Sequence, residues 1–472
     1  MTELRHDRVA LLADLDGLRA TLARAGSGAR TELGLGGVLL GAGVLTELPA
    51  LARELLPAGG QIAVLMDRRP MGAGNGVELK RAVRTALAAA GWVRPVELGG
   101  PEADVHADAA TLADAVEQVR GADLLVTVGS GTLTDIGKFA SSNLGGLPHI
   151  VVQSAASVNG FADDQSVLVV DGVKRTTPTR WPDRLIIDLD VIAAAPAEMN
   201  RAGLGDLLAS YTAPADWRLA AFFGQDQSFS ETIVALTRDH VDPVLDRAAG
   251  IGSGEHDALE LLSAALTLSG ISMGAAGRTA PGSGMEHTAS HLIEMTEGHG
   301  ALHGAQVGVL SVFAACLWQL VREAAHGGAL ERLRFPSAEE MQTRLTAAFA
   351  AADPSGAMSA ECWSDYRRKL ERHNAGAGAL TDIAARWPQL DAELERLLAP
   401  PQRLAAALID SGAPTHLHQL GIAPERTRWA LANCHLMRDR FTVADLAFLL
   451  GLWDEDGVQR VVALAESHGC GL

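Results

Sequence analysis

Between about residue 36 and residue 193 the chain alternates short runs of branched apolar residues with stretches rich in alanine and leucine. QIAVLMD (61–67) is apolar without alternation, the pattern of a strand covered on both faces, and VELKRAVRTALAAAG (77–91) carries apolar positions at helical spacing. AATLADAVEQVRG (109–121) has the helical period again, and ADLLVTVG (122–129) is a second buried-strand run that ends on glycine. HIVVQSA (149–155), SVLVVDG (166–172) and RLIIDLD (184–190) supply further strands. Strands and helices in alternation predict a mostly parallel sheet. Beyond about residue 195 the strand runs stop, and DALELLSAALTLSGISMGAAG, QVGVLSVFAACLWQLVREAA and WALANCHLMRDRFTVADLAFLLGLW all space leucine, alanine and methionine as helices do. The expectation is an α/β domain over 1–195 and an all-helical domain over 196–472. A chain of 472 residues is long for a single core, which agrees with two domains.

Composition narrows the classes. Hydrophobic residues at 48% with charged residues at 20% mark an ordered globular protein, and 4% aromatics leave its core to small aliphatic side chains. A formal net charge of -18 argues against a general nucleic-acid or anionic-membrane surface, although a local basic pocket survives that argument. The four cysteines, Cys316, Cys362, Cys434 and Cys470, form no CxxC pair, so a reducing, cytoplasmic setting is the simpler reading. The N-terminal MTELRHDRVALLADLDGLRATLARAG reads as an amphipathic helix rather than a signal peptide. No uninterrupted apolar run reaches the roughly 20 residues a bilayer span needs, so stable membrane insertion is not expected.

GSGTLTDIGKFAS opens at Gly129 behind a strand and enters a helix. Unpaired N–H groups and the helix dipole at such a turn suit a phosphate, and glycine lets the ligand come close. The segment is neither GxGxxG nor a Walker loop, and a tight turn in which Gly129 and Gly131 only satisfy geometry is equally compatible. Asp67, ending its strand, suits an adenosine ribose or is simply a strand-ending acid; Arg68 and Arg69 behind it could meet the 2′-phosphate of NADP. Asp135 and Lys138 share a helix face and could line the ligand cleft or form a solvent-exposed pair. In GSGMEHTASHLIEM, His287 and His291 are one helical turn apart; His299 and His303 would be so if Gly300 were helical. One histidine from each segment with a carboxylate, which Asp206 of AGLGDLLASYTAPADW offers, could hold a divalent ion and stabilise the alkoxide of an alcohol oxidation. Packing roles for the histidines and a capping role for Asp206 are the alternatives. Lys174, Arg175, Arg180 and Arg184 in GVKRTTPTRWPDR form a candidate anion site or merely offset surface charge.

The blocks VGSGTLTDIGKFAS, VVQSAASVNGFA, DGVKRTTPTRWPDRLIIDLDVIAAAPAEMNRAGLGDLLASYTAPADW, GSGMEHTASHLIEM and LHGAQVGV, in this order, resemble the sn-glycerol-1-phosphate dehydrogenases within the iron-containing alcohol dehydrogenase and dehydroquinate synthase superfamily. The resemblance implies a dehydroquinate synthase-like fold: an N-terminal dinucleotide-binding domain, a helical metal- and substrate-binding domain, and an active site in the cleft between them. It implies Asp206, His287 and His303 as ligands of one divalent metal (zinc, nickel or iron), with Gly129, Ser130, Gly131 and Thr132 on the pyrophosphate of NAD or NADP. It assigns Asp67 to the ribose, Ser154 and Ser157 to the nicotinamide side, Asp135 to the cofactor site, and His291, Asn159 and Lys174 to substrate or proton handling. The implied activity interconverts dihydroxyacetone phosphate and sn-glycerol 1-phosphate in phospholipid metabolism. A small phosphorylated polyol or ketone is the implied partner, and a homo-oligomer the implied assembly. Three departures stand out: Asn159 where the family has aspartate before glycine, Ala305 where HGE is common, and Met285 where SEH is usual. They motivate two alternatives, a dehydrogenase of another polyol, aminopolyol or sugar-derived ketone, and a catalytically inactive nucleotide-binding regulator. A cyclase is disfavoured because QSAASVNGFADD replaces the DSSVGGK-like stretch of dehydroquinate synthase.

Overall fold

A computed structural model of the chain describes residues 12, 14–24, 30, 32–74, 76–100, 105–170, 173–297, 300–375 and 382–472. The chain forms two compact units, Met1–Leu207 with Ala235–Arg278, and Leu208–Val234 with Thr279–Leu472. This division differs from a cut at 195, because a helical excursion returns to the first unit before the second is completed.

The first unit begins with α1 (Leu15–Arg24), β1 (Val38–Gly41), α2 (Leu48–Leu55), β2 (Gln61–Met66), α3 (Leu79–Leu87), β3 (Trp92–Glu97), α4 (Ala109–Val119), β4 (Leu124–Gly129), α5 (Gly131–Asn143) and β5 (His149–Gln153). It continues through β6 (Gln165–Val170), β7 (Val173–Pro178), β8 (Arg184–Asp188), α6 (Leu189–Ala194) and α7 (Ala197–Leu208). Six strands make one parallel sheet in the order β1-β8-β5-β4-β2-β3. Alternate residues of β2 feed two cores. Ile62, Val64 and Met66 pack with Leu48, Leu79, Val83 and Leu87, while Ala63 and Leu65 pack with Leu112, Ala115, Val119, Ile136 and Ala140. Burial on both faces is why β2, β4, β5 and β8 read as unbroken apolar runs.

The remaining strands were harder to see. β1 has only four residues, and β3 is an edge strand whose Pro95 interrupts the pattern and whose Trp92 is 62% exposed. SVLVV is indeed a strand, but as β6 it pairs antiparallel with β7 in a separate hairpin rather than joining the sheet; Asp171 and Gly172 lie outside the described residues. Most of the expected N-terminal amphipathic helix also lies outside them, apart from α1 and its neighbours.

His149 opens β5 fully buried, with Nε2 2.8 Å from Thr127 Oγ1 and Nδ1 without a hydrogen-bond partner among the described residues. Burial, aided by the charges of Arg180 and Lys138, pushes its pKa down to about 3. The unfolded chain takes up a proton below about pH 6.5 whereas the folded chain resists, so this histidine's contribution to stability is present above that pH and is lost as pH falls toward 3. Replacing His149 with glutamine should therefore flatten the acid limb: between pH 6 and 4 the variant should lose about 2 kcal/mol less stability than the parent in urea titrations. Parallel limbs for the two proteins would contradict this.

α8 (Ala213–Phe222) belongs to the second unit, and α9 (Glu231–Leu245) carries the chain back to the first. There α10 (Ala248–Ser253) and α11 (His256–Ala276) complete the first unit. Two glycines of α11 permit close approach. A Cβ at Gly274 would lie 2.1 Å from the Trp181 ring, and one at Gly270 2.4 Å from the Asn159 carbonyl oxygen.

The rest of the second unit is helical, as expected: α12 (Met285–Glu297), α13 (His303–His326), α14 (Ala338–Phe349), α15 (Ala357–Ala375), α16 (Ile383–Leu397), α17 (Pro401–Ser411), α18 (Pro424–Asn433), α19 (Val443–Leu449) and α20 (Glu455–Ser467). α13 is its central helix, surrounded by α12, α17, α19 and α20. By length and composition alone α11 and α13 could cross a membrane, which the run-length criterion did not register; 89% of each apolar window is buried inside the protein, as core helices require.

Candidate functional site

The carboxyl edge of the parallel sheet gathers the residues expected at the dinucleotide. Ser130 caps α5 at the end of β4 without a side-chain bond to the helix; its Oγ lies 2.7 Å from Ser157 Oγ. The Ser154 amide donates to the Gly129 carbonyl at 3.0 Å, tying the end of β5 to the same turn. A Cβ on Gly131 would meet Val158 at 2.9 Å, so glycine is needed for the loop to approach the helix start, where Thr132 is exposed. Asp67 follows β2 on this edge, one carboxylate oxygen accepting from Lys80 Nζ at 2.7 Å and from the Arg69 amide at 3.1 Å. Lys80 was not anticipated; thirteen residues away on α3, it orients the acid.

Asp135 and Lys138 are neither cleft-lining nor solvent-exposed. Lys138 is fully buried and donates to Asp163 at 2.6 Å and to the carbonyls of Gly160 and Gln165. Asp135, 3.4 Å from Lys138, accepts from the Val167 amide at 3.2 Å. The cluster, in which Asp135 takes part, fastens α5 to the β6–β7 hairpin. Burial raises the Asp135 and Asp163 carboxyls, Asp163 to about 7, with Lys138 opposing the rise.

The basic segment is dispersed as well. Arg180 donates to the carbonyls of Gly146 and Leu147 and to Asp183, and Arg184 pairs with Glu54 at 3.0 Å. Both sit where β5 and β8 begin, the sheet edge opposite the glycine turn, so they build no anion site with it. Lys174 and Arg175 lie in β7 of the hairpin, opposite Val169 and Leu168.

Asp206 is buried near the end of α7. Its Oδ2 accepts from the Asn159 backbone amide at 2.9 Å, and the Asn159 side-chain amide donates to Ser269 Oγ at 3.2 Å. The close contact depends on Gly203, where a Cβ would fall 1.8 Å from the Ala156 carbonyl oxygen.

In the second unit α12 and the start of α13 bring three histidines together. Ring centroids are 5.2 Å apart for His287 and His303, 5.1 Å for His291 and His303, and 6.1 Å for His287 and His291. His287 and His291 are 6% and 5% exposed. Gly300 is not helical and His299 lies outside the described residues, so the pairing of His299 with His303 goes no further.

Hydrogen-bond partners separate the three rings. His287 Nδ1 lies 3.0 Å from Glu286 Oε1, and His303 Nδ1 3.2 Å from Glu294 Oε1. A carboxylate only accepts, so each Nδ1 carries the proton and each Nε2 presents a lone pair, the form a metal ligand requires. His291 is the reverse: Arg438 Nη2 lies 3.0 Å from its Nδ1, and a guanidinium only donates, so Nδ1 accepts and Nε2 carries the proton. His291, Glu294 and His303 bring possible ligand atoms within 4.8 Å of one another. Arg438 on Nδ1 of His291 leaves that ring an Nε2–H donor, and Glu294 is engaged by His303 Nδ1.

Glu286 is held firmly. It is fully buried, and besides His287 it accepts from the Gly284 amide and from Thr212 Oγ1 at 2.8 Å. Burial would raise its carboxyl; the hydrogen bond with His287 and the backbone amides around it, Gly284 among them, together hold it below the usual range. Asp216 nearby accepts from the Met285 amide at 2.8 Å and the Val443 amide at 2.9 Å, and burial followed by the charge of Glu286 raises it well above that range. Met285 is buried, and Ala305 sits in the first turn of α13 at 5% exposure. Glu294, three residues beyond His291 on α12, was legible as a carboxylate on the same helix; the approach of Arg438, 147 residues away, was not.

Within the second unit, two imidazoles whose Nδ1 atoms face buried carboxylates have the chemistry of divalent-metal ligands. Residues 39–196 match the model of the iron-containing alcohol dehydrogenase family. Glycerol-1-phosphate dehydrogenase (NAD(P)+) of Bacillus licheniformis is 36% identical over 239 residues, 49% of this chain and 59% of that relative. The enzymes of the same name from Methanothrix thermoacetophila and Methanosarcina acetivorans are each 32% identical, over 56% and 61% of this chain and 72% and 79% of theirs. Among solved structures, a probable glycerol dehydrogenase from Sinorhizobium meliloti superposes with a TM-score of 0.56 at 18% identity, covering 92% of this chain and 98% of that one. Glycerol dehydrogenase from Schizosaccharomyces pombe gives 0.56 at 16%, covering 92% and 90%; both likenesses concern the fold. The chain belongs to the glycerol-1-phosphate dehydrogenase family of the iron-containing alcohol dehydrogenases.

Proposed function

We propose that the protein is a metal-dependent, NAD(P)-linked oxidoreductase that interconverts dihydroxyacetone phosphate and sn-glycerol 1-phosphate. The observation that carries the reading is the opposite hydrogen bonding of neighbouring imidazoles: Nδ1 of His287 and of His303 faces a carboxylate, which leaves Nε2 to ligate, and Nδ1 of His291 faces a guanidinium, which leaves Nε2–H to donate a hydrogen bond. Asp206 completes the proposed ligand set. A divalent ion held there, zinc, nickel or iron, would supply Lewis-acid stabilisation of the developing negative charge on the substrate oxygen, and the dinucleotide would supply or accept the hydride.

The chain's own residues do the rest. Glu286 and Glu294 fix ring orientation and tautomer. Gly129, Ser130, Gly131 and Thr132 receive the pyrophosphate, with Asp67 on the ribose and Ser154 and Ser157 toward the nicotinamide. His291 Nε2–H donates a hydrogen bond to the substrate oxygen, and the proton itself is delivered from solvent water along this contact during reduction and returned to it during oxidation. Asn159, bonded to Ser269, orients polar groups without adding charge, so the departure from aspartate moves proton handling to His291 and leaves the reaction class unchanged. Lys174 and Asp135 have no part at the reacting atoms in this reading. A cytoplasmic homo-oligomer accompanies it.

The test compares steady-state oxidation of NADH and NADPH with dihydroxyacetone phosphate, dihydroxyacetone and a panel of other ketones, before and after chelation. The expected result is a clear preference for the phosphate ester, activity lost on chelation and restored by one divalent ion. Full-rate reduction by stripped protein would exclude the metal role, and a preference for another ketone would favour the alternative substrate.

A further inference from the structure

We propose that Arg438 is a positioning residue that keeps His291 out of the metal's coordination and so confines the ion to His287 and His303; this rests on the metal reading proposed above. The cluster offers more ligands than one ion on the proposed set uses. Besides the set built on His287 and His303, possible ligand atoms of His291, Glu294 and His303 lie within 4.8 Å of one another. Both sets include His303, so an ion drawn to one takes that ring from the other. His291 lies as near to His303 as His287 does, 5.1 Å against 5.2 Å between ring centroids. Spacing alone therefore does not choose His287 over His291.

The hydrogen bonds do choose. Nδ1 of His287 lies 3.0 Å from Glu286 and Nδ1 of His303 3.2 Å from Glu294, whereas Nδ1 of His291 lies 3.0 Å from Arg438 Nη2. A guanidinium keeps its charge at any ordinary pH and only donates. His291 could ligate through Nδ1 only by expelling that donor. It could ligate through Nε2 only by moving its proton to Nδ1, where two N–H groups would then face each other with no acceptor between them. The fixed positive charge beside the ring also opposes the approach of a cation. A carboxylate does the opposite on each count, and that is what His287 and His303 have.

The packing holds the guanidinium in place. Among the described residues, Arg438 is the non-glycine residue in the left-handed region, at φ 57°, and the chain on both sides of it is tied down. Arg372 of α15 donates to the Asp439 carbonyl and, at 3.2 Å, to its carboxylate. Lys369, one turn earlier on the same helix, donates to the His435 carbonyl at 2.9 Å and to Asp445 at 2.7 Å. Arg440 donates to the Ser283 carbonyl and to Thr279 Oγ1, the latter at 2.5 Å, in the segment that leads into α12. The loop that carries Arg438 is thus joined to the start of the helix that carries His287 and His291, and the contact with His291 is part of the packing.

The experiment loads the wild-type enzyme, R438G, R438M and the double variant H291A/R438G with cobalt(II), records the visible absorption of the ion, and locates it in crystals by anomalous scattering. Glycine suits the left-handed backbone, and methionine keeps most of the side-chain length without donor or charge; an unchanged thermal transition checks each fold, and either variant suffices. The wild-type ion should sit off His291. In R438G and R438M the absorption should shift and a His291 nitrogen should lie about 2.1 Å from the ion, while H291A/R438G should return to the wild-type spectrum. Absorption and ion position unchanged from wild type in the single variants, or a shift that persists without His291, would overturn the role of Arg438 and leave the metal reading standing. A wild-type ion already bound to His291, or wild-type protein that takes up no cobalt, would overturn both.

Discussion

Replacing His287 with alanine should lower turnover by roughly a thousandfold, about 4 kcal/mol of lost alkoxide stabilisation, with bound metal falling in parallel. Glu286→Gln should behave differently. Glutamine keeps an acceptor near His287 Nδ1 but removes the charge that Glu286 places 3.0 Å from the ring. The expected result is metal affinity weakened by about 10- to 100-fold, with much of the turnover recovered at saturating metal. Glu294→Gln should do the same through His303. Metal titrations followed by activity separate the classes: the ligand variant stays inactive at every concentration, and the orienting variants are rescued. Rescue of His287→Ala by excess metal alone would contradict its role as a ligand.

The second large effect is expected at Gly203. A methyl group there would lie 1.8 Å from the backbone carbonyl oxygen of Ala156, and backbone cannot rotate aside as a side chain can. Alanine in a helix gains about 1 kcal/mol over glycine in propensity, but the clash should outweigh this and leave Gly203→Ala less stable by about 3 kcal/mol. Activity should fall further than stability. The loop pushed away carries Ser157 and Asn159, and the Asn159 amide is what Asp206 accepts from. Gly160→Ala is the control, because a Cβ there meets nothing within 4 Å and its φ is not left-handed. Equal thermal melting and kinetics for the two variants would show that the close approach is unimportant.

These effects also indicate how far the sequence could be read. Runs such as QIAVLM and LLVTVG announce buried parallel strands because both of their faces are covered, and the glycine turn after β4 follows from its position between strand and helix. The sequence offered one histidine from each of two neighbouring segments and Asp206 as candidate ligands, and the choice of His287 and His303 came from the family resemblance. What escaped depends on long-range pairing. Lys138 and Asp135 read as a local pair, yet their partners Asp163, Gln165 and Val167 come from a hairpin that periodicity alone would place in the main sheet. Arg180 and Arg184 looked like an anion site until the sheet placed them at its opposite edge. Arg438 left no local signal, since only the fold brings it to His291.

The most direct test of the account is metal analysis of freshly purified, active enzyme together with anomalous scattering from its crystals. The account predicts one divalent ion per chain, bound by Nε2 of His287, Nε2 of His303 and the carboxylate of Asp206, with His291 hydrogen-bonded rather than ligated. Full activity in protein free of divalent metal, or an ion held by His291 in place of His287, would contradict it.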